Sequence, residues 1–303
     1  MNNPLETLNE NELLNNNKIK LFIPLICHNQ NANGWFMMSI LKLTLMLKEK
    51  DIEAIYYPIF FESLVPRARN SSIAHFMGSD CTHLLFINSD IVFEPEAVLK
   101  LLEHNKEIIG GTYPKKYMRL GSNYPFDFTI NGNIEIIENN PELFKVSNLP
   151  AGFSLIKREL INTLMNSNPN LKYINTMDEY ASKEDIINNS FYNFYKCGIN
   201  NNNEYLNEED GFCELVTQSG VDIFLEPSLT LRHNGLFGYE GCFKDFLNIK
   251  IQELQQQQQM EQQQTNERQQ QMEQQQQSLG NQVQPPTELN NEELNKELFS
   301  QNL

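Results

Sequence analysis

Thr82-His83-Leu84-Leu85-Phe86-Ile87-Asn88-Ser89-Asp90-Ile91-Val92-Phe93 is the stretch that decides the fold. Its apolar part is too short for a helix, stops on Asn88-Ser89-Asp90 and resumes as Ile91-Val92-Phe93. A run of this length between polar residues reads as a strand of a parallel sheet, buried on both faces. In open sheets of that kind ligands bind beyond the carboxyl ends of the strands, where Asn88 and Asp90 emerge. A carboxylate there can hold a divalent cation, and the cation can hold a diphosphate. A buried strand followed by an ordinary polar turn would leave the same trace, so the tripeptide alone does not decide function.

The neighbouring sequence alternates strand and helix. Residues 20–26 read as a first strand. Residues 34–50 place Phe36, Met37, Ile40, Leu41, Leu43, Thr44 and Leu47 on a helical stripe. Residues 55–61 form a second strand, 66–76 a helix opened by proline, 84–87 the buried strand, 95–104 a helix and 108–110 another strand. This rhythm predicts an α/β Rossmann-like domain, with a mostly parallel sheet and helices on both faces. Residues 146–231 mix strands, a helix and loops and are expected to form the acceptor side of the same domain. The expected organisation is a flexible N-terminus over 1–17, one domain over 18–250 and a Gln-rich, low-complexity tail over 251–303, disordered or partly helical.

Composition narrows the function classes. The formal net charge of −16 argues against nucleic acid or an anionic membrane as partner. Residues 1–17 contribute −3 and residues 251–303 contribute −6, leaving an unexceptional −7 for the domain. The five cysteines are scattered, with no Cys-x-x-Cys, which predicts free thiols in a reduced compartment. No apolar stretch reaches membrane-spanning length and the N-terminus is not basic then apolar. The expectation is therefore a cytoplasmic protein with no membrane span.

Several elements around the buried strand carry a resemblance. Pro66-Arg67-Ala68-Arg69-Asn70 opens the preceding helix, where free N–H groups and guanidinium forks suit phosphate; a surface basic cluster is the plain alternative. Gly110-Gly111-Thr112-Tyr113-Pro114-Lys115-Lys116 follows a later strand, with glycines for close backbone approach and lysines for a sugar or phosphate, or as a simple turn. Leu149-Pro150-Ala151-Gly152-Phe153-Ser154-Leu155-Ile156-Lys157-Arg158, Glu208-Glu209-Asp210-Gly211-Phe212-Cys213 and Leu231-Arg232-His233-Asn234-Gly235 complete the set. Apart from the glycine-lysine segment, these resemble elements of the glycosyltransferases of the GT-A fold, closest to those of bacteria and large DNA viruses, over roughly residues 20–241. Asn88-Ser89-Asp90 is similar to their Asp-x-Asp strand end, with Asn88 in place of the first acid.

The resemblance implies a transferase that moves a sugar from a nucleotide-diphosphate sugar to a hydroxyl of a glycan or protein, with Mn²⁺ or Mg²⁺ and with inversion at the anomeric carbon. Asp90 and His233 are implied as metal ligands. Arg67, Arg69, Asn70, Asn88, Ser89, Lys115 and Gly152 are implied as donor contacts, Gly152 forming the wall against which the sugar lies. Asp210 or Glu209 is implied as the general base. Adjacent carboxylates raise one another's pKa, which suits that role, although carboxylates at a helix start are also good helix chemistry. A viral origin would place the protein in host cytoplasm or virion. Two alternatives stand beside this reading. One is an inactive GT-A domain that binds nucleotide sugars or plays a structural part, for which Asn88 speaks. The other is a sugar nucleotidyltransferase, against which Cys27-His28-Asn29-Gln30-Asn31 offers no Gly-rich phosphate loop.

Overall fold

The computed structural model describes residues 18–28, 31–137, 140–200 and 202–280. The expectations for residues 1–17 and 281–303 lie outside the described residues. The first half runs β1 (Lys20–Cys27), α1 (Gly34–Glu49), β2 (Glu53–Phe60), α2 (Val65–Gly78), β3 (His83–Ile87), β4 (Ile91–Val92), α3 (Glu96–Glu103) and β5 (Ile108–Gly110). Then follow β6 (Ile134–Ile137), β7 (Asn140–Val146), β8 (Phe153–Lys157), α4 (Arg158–Ser167), α5 (Asp185–Asn188), β9 (Gly198–Ile199) and β10 (Tyr205–Leu206). α6 (Glu208–Gln218), β11 (Ile223–Leu225), β12 (Thr230–Asn234), β13 (Gly238–Cys242) and α7 (Phe243–Gly280) complete it.

The main sheet has eight strands in the order β2-β1-β3-β8-β5-β11-β7-β6. β8 and β7 run against the other six, so the sheet is mostly parallel in direction. Side chains alternate through it, as strand geometry requires. Leu84 and Phe86 join one apolar cluster with Ile73 and Phe76 of α2, Leu160 and Leu164 of α4, and Phe212 and Val216 of α6. Leu85 and Ile87 join the other with Phe36, Ile40 and Leu43 of α1 and Val98 and Leu101 of α3. Both faces of β3 are therefore covered, which is why it reads as an uninterrupted apolar run. The α/β class, the mostly parallel sheet and the helices on both faces are all present.

One part differs from the expectation. Residues 146–231, expected as an acceptor side, also supply a strand to the middle of the main sheet. β8 lies between β3 and β5, antiparallel to both. Gly110 permits this, because a Cβ there would overlap the Phe153 carbonyl oxygen. The strand direction was hidden from sequence reading: a strand buried on both faces has the same composition whichever way it runs.

Two compact units divide between Ile249 and Lys250. In the first, Phe243 of α7 is buried against Phe128, ring centroids 5.2 Å apart. In the second, the chain is helical as far as Gly280, and Ile251, Leu254, Met260 and Met272 are all exposed. Among its described residues it buries no apolar face of its own.

Candidate functional site

From β1 the chain moves to β2 on one side, then returns past β1 to β3 on the other. The order reverses there, which opens a crevice at the carboxyl ends of β1 and β3. Ser89 meets the Cys27 thiol across it. The residues after β3 turn sharply, with the Ile91 N–H donating to the Asn88 carbonyl at 2.9 Å, and enter β4.

A second, three-stranded sheet, β13-β12-β4, brings the distant end of the chain to this point. β12 pairs antiparallel with β4 in a register that sets His233 opposite Ile91. The Asn234 N–H donates to the Asp90 carbonyl at 2.8 Å. His233 Nε2 then lies 3.3 Å from Asp90 Oδ2, and Lys116 Nζ lies 2.5 Å from the same oxygen. Burial pushes the Asp90 carboxyl up, but hydrogen bonds from His233 and Lys116 outweigh it and hold the group below its ordinary range.

His233 Nδ1 faces the Pro114 carbonyl at 2.9 Å, and a carbonyl only accepts, so a ring proton belongs there. Nε2 with a lone pair would repel the Asp90 carboxylate. A second ring proton or a cation between them makes the approach favourable. The pair therefore fits a divalent ion, with the outer hydrogen bond usual for a ligating imidazole. Among the described residues no group of three or more His, Cys, Asp or Glu is arranged to hold a metal. An ion at Asp90 and His233 would take its remaining ligands from phosphate oxygens and water.

On the other side of Asn88 lies a buried guanidinium. Arg69 Nη2 donates to Asn88 Oδ1 at 3.1 Å and to Glu209 Oε1 at 3.3 Å, and Nη1 donates to the Ala151 carbonyl at 3.4 Å. Its plane lies against Phe86 and Tyr195, 5.2 and 5.5 Å from their ring centroids. Glu209 is 26% exposed, enough to reach a bound molecule. Burial pushes its carboxyl up, Arg69 opposes, and the charges of Glu208 and Asp210 add to the rise, so the net direction is upward. A Cβ at Gly152 would overlap the Tyr113 hydroxyl and stand 2.7 Å from Asn88 Nδ2. Only glycine lets the backbone pass there.

The remaining sequence candidates stand elsewhere. Arg67 is tied to buried Glu62 by two hydrogen bonds, at 2.6 and 2.9 Å. Asn70 is buried with both ends of its amide engaged: it donates to Asn193 Oδ1 and the Tyr195 carbonyl and accepts from the Tyr195 N–H. It fixes the 193–195 segment instead of facing the crevice. Asp210 accepts from Asn148 Nδ2 at 2.5 Å and has no contact with Arg69 or Asn88. Lys115 is half-buried, and the lysine on Asp90 is its neighbour Lys116. Sequence reading also passed over Tyr113, whose ring packs edge-on to His233 at 4.9 Å, and Asn234, which bonds Asn33, the cap of α1, at 3.0 Å. Their signals were available: Tyr113 lies two residues after the paired glycines, and Asn234 follows the histidine.

No family model matches this chain, and no curated protein matches it either. Among solved structures, it is similar to 4-diphosphocytidyl-2C-methyl-D-erythritol synthase from Anaerococcus prevotii, at 10% identity and a TM-score of 0.28, over 53% of this chain and 80% of that one. It is also similar to a glycosyltransferase involved in glycosylation of the major capsid of PBCV-1, at 9% identity and a TM-score of 0.26, over 50% of this chain and 68% of that one.

Proposed function

We propose that the chain is a metal-dependent glycosyltransferase acting on a nucleotide-diphosphate sugar. One observation carries the reading. A cation-ready pair, Asp90 and His233, and a carboxylate held by a buried arginine, Glu209, flank Asn88 at the switch point of the sheet. Mn²⁺ or Mg²⁺ bound at Asp90 and His233 would offset the charge that grows on the departing diphosphate. Asn88 and Ser89 contact the donor, with Asn88 held in place by Arg69. Gly152 lets the backbone pass close to Asn88 and the Tyr113 hydroxyl, which keeps Asn88 where the donor would lie. Glu209 takes the acceptor hydroxyl proton as the new bond to the anomeric carbon forms and the bond to the diphosphate oxygen breaks, its electrons leaving with the diphosphate. A base raised in pKa by burial is suited to that transfer.

The reading is tested by turnover of a panel of nucleotide sugars with Mn²⁺, and by calorimetry of Asp90→Ala. Loss of metal-dependent UDP or GDP binding with the fold kept is the expected result, since Asp90 lies at a strand end and not in the apolar core. Unchanged affinity would remove Asp90 from the site. A second reading, a nucleotide-sugar-binding module without turnover, takes support from Asn88 in the acid's place and from Lys116 on Asp90. Binding without turnover across the panel would favour it.

A further inference from the structure

We propose that Lys116 is an internal stand-in for the divalent cation at Asp90, and that it turns to the donor's diphosphate when a cation displaces it. The proposal rests on the transferase reading above. Lys116 Nζ and His233 Nε2 converge on the same carboxylate oxygen, at 2.5 and 3.3 Å. An ion bound through that oxygen would meet the ammonium charge on the same atom, so the two cations compete for it.

The lysine is built to move by its side chain alone. Its backbone is pinned on both sides: the Lys115 N–H donates to the Asp127 carbonyl at 2.7 Å, and the Tyr117 N–H to the Lys115 carbonyl at 2.8 Å. Its side chain is 40% exposed, and Asp90 is its one polar partner among the described residues. Gly235 leaves space for the stem, since a Cβ there would come within 3.2 Å of Lys116 Cδ. A flexible four-carbon stem with a compact charge suits such an exchange better than a guanidinium fork.

Charge balance gives the exchange a direction. Without ligand, Lys116 offsets the carboxylate and keeps a cation-ready site from standing with unpaired negative charge. The Asp90 carboxylate and a sugar-linked diphosphate, which carries two charges, together hold one more negative charge than a divalent ion offsets. The displaced ammonium, still next to the ion, supplies the remainder. It also faces the charge that grows on the leaving diphosphate.

The two roles have opposite signs in one variant. Removing the ammonium should strengthen binding of the metal alone and weaken binding of the nucleotide. The experiment uses the full chain as wild type, Lys116→Met, Lys116→Arg and Lys42→Met, the last a surface lysine paired with Glu94 at 2.9 Å. Mn²⁺ alone is titrated by electron paramagnetic resonance of the free ion. UDP and GDP are then titrated by calorimetry at saturating Mn²⁺. Lys116→Met should bind Mn²⁺ several-fold tighter and the nucleotide roughly tenfold weaker, the scale of one charge-assisted hydrogen bond. Lys116→Arg should bind Mn²⁺ more weakly than wild type and keep the nucleotide, and Lys42→Met should change neither. Unchanged or weaker Mn²⁺ binding in Lys116→Met overturns the stand-in role, and unchanged nucleotide affinity overturns the diphosphate role. If wild type binds Mn²⁺ but neither nucleotide, the transferase reading falls while the Mn²⁺ titration still decides the competition for Asp90.

Discussion

Arg67 and Arg69 are two residues apart on α2, which turns their side chains roughly 200° from each other. Arg67 pairs with Glu62, and Arg69 reaches Asn88 and Glu209. Glu209 and Asp210 are adjacent at the start of α6 and roughly 100° apart, and there one meets Arg69 and the other Asn148. Sequence reading assigned both arginines to the donor and left the two carboxylates as alternatives; the helical period shows that Arg67 and Arg69 diverge, but not which member of either pair faces Asn88. That depended on where α2 and α6 pack. If Glu209 is the base, Glu209→Gln should keep nucleotide-sugar affinity and lose turnover by roughly 10²–10⁴-fold. Asp210→Asn should turn over near the wild-type rate, with at most a modest stability loss from its bond to Asn148. Steady-state kinetics and calorimetry on both variants decide it; full turnover in Glu209→Gln would move the role elsewhere.

At the scale of elements, β1, α1, β2, α2, β3, α3 and β5 were legible nearly to their ends, because each carries its own periodicity. The β4–β12 ladder was not, since a two-residue strand has no periodicity to read. It is nevertheless the element that sets His233 beside Asp90. The pairing of β3 with β8 also carries a pH consequence. His83, opposite Lys157 at the start of β3, is pushed down from its ordinary 6.5 to about 4, first by burial and then by the Lys157 charge. The unfolded chain takes up this proton below pH 6.5, whereas the folded chain refuses it until about pH 4. Stability from this group is therefore complete above that window and is lost as pH falls through it, by roughly 3 kcal/mol at most. Urea titrations from pH 7 to 4 should show His83→Gln losing less stability than wild type over that range. Parallel curves would mean that His83 does not titrate differently on folding.

For the whole molecule, the acidic charge is concentrated towards the chain ends, and the described residues of the unit beginning at Lys250 bury no apolar face of their own. A chain ending at Ile249 should therefore keep its melting temperature within about 2 °C, less than the shift expected from ~1 kcal/mol in a domain of this size. It should also keep its nucleotide affinity; a larger fall would show that the Gln-rich helix stabilises the domain. The position of β8 bears on how the chain is made. When a ribosome has released residues up to Gly110, β3 and β5 both exist in sequence, but the strand that belongs between them has not been synthesised. Until Lys157 emerges, the nascent chain carries open apolar edges at Leu84–Ile87 and Ile108–Gly110, the kind that pair with other chains. A polypeptide stopped near residue 145 should thus aggregate, whereas one stopped at Ile249 stays monomeric, as sedimentation of the two products would show. The crevice would form late in synthesis, only after β12 has delivered His233 to Asp90.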